Sequence, residues 1–344
     1  METYIILGKG KERKILENTF NLNPPTLYGL EMKMSNEEKY LGDQINCNGL
    51  AASVEATIKK RIGKVTKSIY DIRAVIEDVR IYVAGGLTAG LDIWELAVIP
   101  YLLNNCDTWF GISEHSVKLL DNLQNQFYRV FLKIPTGCPI PSLYWECGGL
   151  IMKYRILKKK LLFLHHLETL DETSLANQFY KAQLSLKLPG LMDDCQSFLE
   201  KYDLVNIKSL PKIKWKKIVR RKIEELNKSD LLSKMTNLQK IDGESLAGET
   251  FKLKSYFKEL NVTEARMKFH IRSSMVRSVK MNYPSDPQFK TDLWECQHCF
   301  CIDTQSHIIL TCPAYEELRV NKNLENDKDL VQFFKEVLDI RDEN

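Results

Sequence analysis

The strongest chemical signal in the chain is a cluster of sulfur and imidazole side chains near its C-terminal end. In WECQHCFCIDTQSHIILTCPAY, Cys296, Cys299, His307 and Cys312 form a C-x2-C-x7-H-x4-C pattern. Two cysteines separated by two residues can bring both thiolates onto one ion through a tight turn. A histidine and a cysteine separated by four residues can face one point from successive helical turns. Three thiolates and one imidazole suit tetrahedral zinc and leave no open coordination position, so the site is structural rather than catalytic. Such a site supplies roughly 10–16 kcal/mol of folding free energy to a segment with little core of its own. His298 and Cys301 lie inside the cluster, and either could replace a neighbour. Cys301 is left out because it would create overlapping short spacings with Cys299.

No catalytic constellation accompanies this cluster. Met192-Asp193-Asp194 has the composition of a polymerase metal hairpin, but such a hairpin needs apolar strands on both sides. Here Pro189-Gly190 precedes it and a helical pattern follows, so both aspartates are expected in the first turn of a helix, where the dipole favours them. His165 and His166 are adjacent on an apolar helix and point to different faces, which suits core or surface roles. Phosphate loops, nucleophile elbows and His-Glu-x-x-His are missing from the sequence.

The second signal is charge. Lys208, Lys212, Lys214, Lys216, Lys217, Arg220, Arg221 and Lys222 are uninterrupted by any acid, with Trp215 in their midst. A cationic helix with an aromatic residue can track phosphates and offer a stacking face. The competing reading is a solvated helix whose Trp215, Ile218 and Val219 face a core. Residues 252–280 repeat the pattern less densely and include Arg272 and Arg277. With the cysteine cluster just after them, these stretches suggest a contiguous surface for RNA or DNA.

The chain of 344 residues carries 49 basic and 45 acidic side chains, and 44 % of its residues are hydrophobic. That composition excludes collagen, wholesale disorder and a coiled-coil rod. Its near-neutral sum hides opposite local charges: the tail from Glu316 to Asn344 holds nine acidic against five basic residues. The opening residues have no secretory pattern, and the most apolar window, 91–103, carries Asp92 and Glu95 and is too short for a membrane span. A reducing cytoplasmic or nuclear setting, not secretion or a membrane, is expected, with the cysteines as thiols or metal ligands.

The elements that must position these groups are mainly helical. Strand character is confined to residues 1–45, in Tyr4–Leu7, Thr26–Gly29 and Tyr40–Gly42. From residue 50 a helical period runs through Val54, Ile58, Ile62, Val65, Ile69, Ile72, Ile76 and Val79, with Lys59, Lys60, Lys64 and Lys67 outside it. Gly85-Gly86 breaks this helix, and residues 88–104 are apolar enough for a buried central helix. Further helices are expected over 114–132 with Ser113 as N-cap, 150–170, 173–187, 191–203, 211–228, 245–260 and 263–281, the last begun by Thr263. Residues 283–287 (YPSDP) read as a linker.

One order of features joins these observations: Lys39-Tyr40-Leu41-Gly42 after a strand-rich segment, a long helical region with Trp109 and the Ile134–Gly137 turn, then the cysteine–histidine cluster. This order resembles the C-terminal half of the reverse transcriptase of non-LTR (LINE-type) retrotransposons. The resemblance implies palm-end strands over 1–48, with Lys39, Tyr40, Leu41 and Gly42 as a primer grip. It implies a helical thumb over 49–170, a basic linker over 171–282, and a zinc knuckle with an acidic helical tail over 283–344. The family's catalytic aspartates precede K-Y-L-G, and the thirty-eight residues before Lys39 contain no such pair. The expectation is therefore a truncated element that binds RNA or DNA through Lys212, Lys214, Trp215, Lys216, Lys217, Arg220, Arg221, Lys222, Arg272 and Arg277. It holds structural Zn²⁺, lacks a Mg²⁺ site and has no polymerase activity alone. Two further readings stay open: a polymerase subunit working with a palm from another chain, and a zinc-knuckle protein that binds protein partners.

Overall fold

The computed structural model describes residues 4–5, 19, 26–27, 30–31, 33–40, 42–80, 84–134, 138–204, 207–236, 251–273, 295–296, 298–301, 303 and 305–343. The protein is mainly helical, as expected. Strands form only two-stranded pairs among the described residues: β1 (Tyr4–Ile5) with β4 (Lys33–Met34), β2 (Thr26–Leu27) with β3 (Leu30–Glu31), and β5 (Glu37–Tyr40) with β6 (Asp43–Asn46).

The helices are α1 (Leu50–Arg80), α2 (Gly86–Ile93), α3 (Ile99–Leu102), α4 (Glu114–Leu132), α5 (Ile140–Cys147), α6 (Met152–Thr169), α7 (Leu175–Ser185), α8 (Leu191–Lys201) and α9 (Lys212–Thr236). They continue with α10 (Tyr256–Glu259), α11 (Val262–Arg272), α12 (Gln305–Leu310), α13 (Glu316–Val320) and α14 (Asp327–Glu343). Their ends follow local chemistry. Ser113 Oγ accepts the Ser116 amide at 3.1 Å, which is the N-cap expected for α4. α11 starts earlier than Thr263: Asn261 Oδ1 accepts the Glu264 amide and Glu264 returns the bond to the Asn261 amide, a reciprocal box. Gly85 sits at φ +80° before α2, in the left-handed region that stops a helix cheaply only at glycine.

Two sequence expectations change here. Residues 88–104 are not buried all round: a π-helical turn over Trp94–Val98 separates α2 from α3, and Leu96 is 78 % exposed. Within the stretch expected as a helix over 245–260, only Tyr256–Glu259 is helical among the described residues.

The chain divides into two compact units that interleave in sequence. One comprises Met1–Ser68, Glu95–Gln124 and Leu150–Asn227; the other comprises Ile69–Trp94, Asn125–Gly149 and Lys228–Asn344.

In the first unit α6 is the hub. It packs on α7, α8 and the 3₁₀ turns Cys106–Thr108 and Ile207–Ser209. Its Met152, Ile156, Leu161 and Leu164 are buried. Lys160 is buried too, and its ammonium is satisfied by the Trp109 carbonyl and Asp194 Oδ2, both at 2.7 Å. In the second unit α11 packs on α2, α10 and α14. There Trp94 stacks on Phe127 at 4.0 Å between ring centroids, and Phe127 on Phe131 at 5.2 Å.

Candidate metal centre

The cysteine cluster folds into one site within the second unit. Cys296 and Cys299 lie on a tight turn in which the Cys296 carbonyl accepts the Phe300 amide at 2.9 Å and the Cys296 amide reaches the Cys301 carbonyl at 2.7 Å. Phe300 takes φ +57° to close it. His307 projects from α12, and the chain leaves that helix so that the Cys312 amide bonds the His307 carbonyl at 2.9 Å.

Sγ of Cys296, Cys299 and Cys312 and a ring nitrogen of His307 all lie within 4.8 Å of one another. Cys296 Sγ is 3.7 Å from Cys312 Sγ, and Cys299 Sγ is 3.2 Å from His307 Nε2. A tetrahedron with metal–sulfur bonds of about 2.3 Å has sulfur–sulfur edges of about 3.8 Å. The four donors therefore could hold a metal ion, and their chemistry is compatible with Zn²⁺. Position separates these four from their neighbours: Cys301 and His298 are exposed, whereas Cys296, Cys312 and His307 are buried. The His298 ring instead meets the Tyr315 ring edge-on at 5.9 Å.

The surroundings prepare these donors. His307 Nδ1 lies 3.0 Å from Thr311 Oγ1, which in turn reaches the His307 carbonyl at 3.3 Å. In the tautomer with its proton on Nδ1, the hydroxyl accepts from Nδ1–H while donating to the carbonyl, and the Nε2 lone pair is left for a metal. Burial pushes the Cys312 thiol up to about 12, with Cys296 and Cys299 beside it; a dication among these donors reverses that preference.

Arg319 fastens α13 to the site through the Ile308 carbonyl at 3.1 Å and the Cys312 carbonyl at 2.6 Å. Arg341 of α14 grips the buried Asp303 with two bonds, 2.7 and 2.9 Å, and donates to the Tyr315 hydroxyl at 2.9 Å. Asp303 and these pairings raise the guanidinium pKa despite its burial. The tail is thus part of the module's frame. Val331, Phe333, Phe334 and Val337 of α14 are buried as well. Sequence spacing held no signal for the Asp303–Arg341 pair, whose partners stand 38 residues apart.

The basic part of α9, Lys212–Asn227, belongs to the first unit, and the helix resolves into two faces. Trp215, Val219, Ile223, Asn227 and Leu231 recur every fourth residue and are buried. Trp215 is a correction to the expected stacking residue: it is 1 % exposed, its indole N–H donates to the Leu161 carbonyl at 3.0 Å, and its ring stacks on His165 at 5.7 Å. The core reading of Trp215 wins because the i, i+4 stripe turns it inward. Lys212, Lys214, Lys216 and Lys217 are exposed and have no carboxylate partner among the described residues. Arg220, Arg221 and Lys222 instead pair with Glu224 and Glu225 one turn on, at 2.9, 3.7 and 2.9 Å. Arg272 also departs from the expectation: it lies in the second unit and bonds the buried Glu146 carboxylate at 2.8 Å, which also accepts from the Tyr256 hydroxyl at 2.9 Å. Arg277 lies outside the described residues.

Also in the first unit, Lys39 and Tyr40 are exposed on β5, opposite Gln44 and Asp43 of β6; Leu41 lies outside the described residues and Gly42 takes φ +96°. The hairpin is held by α1. Ser53 and Thr57 hydroxyls accept the Asn46 and Gln44 amides at 2.8 and 2.7 Å. The buried Arg61 donates to Asp43 Oδ1 at 2.7 Å and to the Gly42, Leu102 and Asn104 carbonyls. Its cation also lies over the Trp109 ring, 5.4 Å from the centroid. Sequence reading missed Arg61 because it follows Lys59 and Lys60 and looks like one more surface cation.

Asp193 and Asp194 occupy the first turn of α8 as expected. Asp193 Oδ2 accepts the Gly190 amide at 2.7 Å, while Asp194 pairs with Lys160. His165 is buried with Nε2 at 2.8 Å from the Leu210 carbonyl, and His166 is exposed. No helix of the described residues is long and apolar enough to cross a membrane. Comparison with protein-family models, with curated proteins and with solved structures found no match to this chain.

Proposed function

We propose that the protein binds RNA or DNA through α9, with a zinc-stabilised C-terminal module, and that its residues do no nucleotidyl transfer. The observation that carries this reading is the charge on α9. Lys212, Lys214, Lys216 and Lys217 stand exposed and without carboxylate partners among the described residues, on a helix whose apolar stripe is already buried. Keeping four such charges on two turns costs self-repulsion that a polyanion removes, with release of its counterions. The reading treats Cys296, Cys299, His307 and Cys312 as a closed Zn²⁺ site. The ion there stabilises the module's fold, and no open position is available for a reacting water. The order of K-Y-L-G, helices and cysteine cluster supports kinship with the thumb and linker of non-LTR reverse transcriptases.

The test is RNA binding as a function of salt. Affinity should fall linearly with salt on logarithmic axes, with a slope of about −0.7 for each phosphate contacted in a single strand. Charge reversal at Lys214, Lys216, Lys217, Arg220 and Arg221 should abolish retention. A salt-independent affinity, or full retention by the reversed variant, refutes the proposal.

A further inference from the structure

A cleft of about 440 Å³ opens in the first unit where α6 faces the start of α9. Three lysines line it: Lys159 from α6, and Lys212 and Lys216 from α9. Lys159 Nζ is engaged by the Leu103 carbonyl at 2.7 Å, so Lys212 and Lys216 are the two ammonium groups left for a ligand. They stand four residues apart and flank the buried stripe, whereas Lys214 and Lys217 point away from it on the outward face. Phe163 lines the cleft half-exposed, with its ring 6.4 Å from that of the exposed His166. The Trp215 ring forms part of the floor, its N–H already spent on Leu161. Asp107 is the one carboxylate among the described lining residues, an acceptor for an amino or hydroxyl group.

Two free cations, an accessible aromatic face and a lone acceptor in a space of this size are the recognition chemistry of one nucleotide. We infer that this cleft takes a single nucleotide unit of a bound strand, its phosphate on Lys212 and Lys216 and its base against Phe163. The inference rests on the nucleic-acid reading of α9 and sharpens it: binding is built around one pocket, not spread evenly over the helix.

The experiment measures anisotropy of a labelled eight-nucleotide oligouridine with the full chain. Two double variants remove equal charge, Lys212→Ala/Lys216→Ala in the cleft and Lys214→Ala/Lys217→Ala on the outward face. The cleft pair should lose at least about tenfold more affinity, and Lys212→Arg/Lys216→Arg should restore most of it. Phe163→Ala should weaken the normal strand by about tenfold but leave an abasic strand of equal charge unaffected. Equal losses from the two double variants would overturn the cleft while leaving electrostatic binding by α9 in place. No loss from either would overturn the nucleic-acid reading itself. Phe163→Ala weakening the abasic strand as much as the normal one would overturn the base contact.

Discussion

Removal of Arg341 tests whether the C-terminal helix belongs to the metal module. Arg341 holds Asp303 through two charged hydrogen bonds, and the Asp303 side chain is 1 % exposed against 18 % for Arg341. Asp303 lies between Cys301 and α12, on the segment that joins the Cys296–Cys299 turn to His307. Breaking a buried pair by deleting one partner costs roughly 3–5 kcal/mol, because a charge stays behind in a poor solvent. The partial exposure of Arg341 argues for the lower end. If the segment must be ordered for the four donors to meet, about 3 kcal/mol appears as a loss of zinc affinity on the order of a hundredfold. Arg341→Ala should therefore surrender zinc to a chromophoric chelator at about a hundredth of the concentration that strips the wild type. The double variant Asp303→Asn/Arg341→Gln, which leaves no buried charge, should recover part of the loss. Wild-type zinc retention in Arg341→Ala would refute the reasoning and make α14 a separate appendage.

Three further outcomes are expected. The wild type should bind one zinc per chain and Cys312→Ser none, whereas Cys301→Ser should keep its full complement; metal analysis after gel filtration decides it, since Cys301 is exposed and outside the donor set. Trp215→Ala should lower stability by about 3–5 kcal/mol in urea denaturation, because the side chain is buried, stacked and hydrogen-bonded; an unchanged midpoint with lost RNA binding would restore its role as an exposed stacking residue. Gly148→Ala should lower the melting temperature by several degrees, since Gly148 has φ +62° and an added Cβ would stand 2.5 Å from the Leu253 amide nitrogen, which backbone cannot yield; an unaltered melting curve would show that the 252–253 segment moves aside.

What could be read from the linear chain was whatever depends on neighbours within a few residues. The helical period of residues 54–76, the Ser113 cap, the first-turn aspartates of α8 and the spacing of Cys296, Cys299, His307 and Cys312 are all local patterns. Side chains three or four positions apart share a helical face or a turn whatever else the protein does. Charge density on 208–222 was equally plain, but its meaning was not. Only packing on α6 decided that Trp215 faces inward and that Lys212 and Lys216 border a cleft. Only long-range pairing turned Arg61, Arg272 and Arg341 from nominal surface cations into clasps between distant segments. A guanidinium carries the same charge in either place, and its role depends on which carbonyls and carboxylates folding brings to it from tens of residues away. The same holds for His298 and Cys301, chemically fit to bind a metal but exposed and outside the group of four donors that folding brings together.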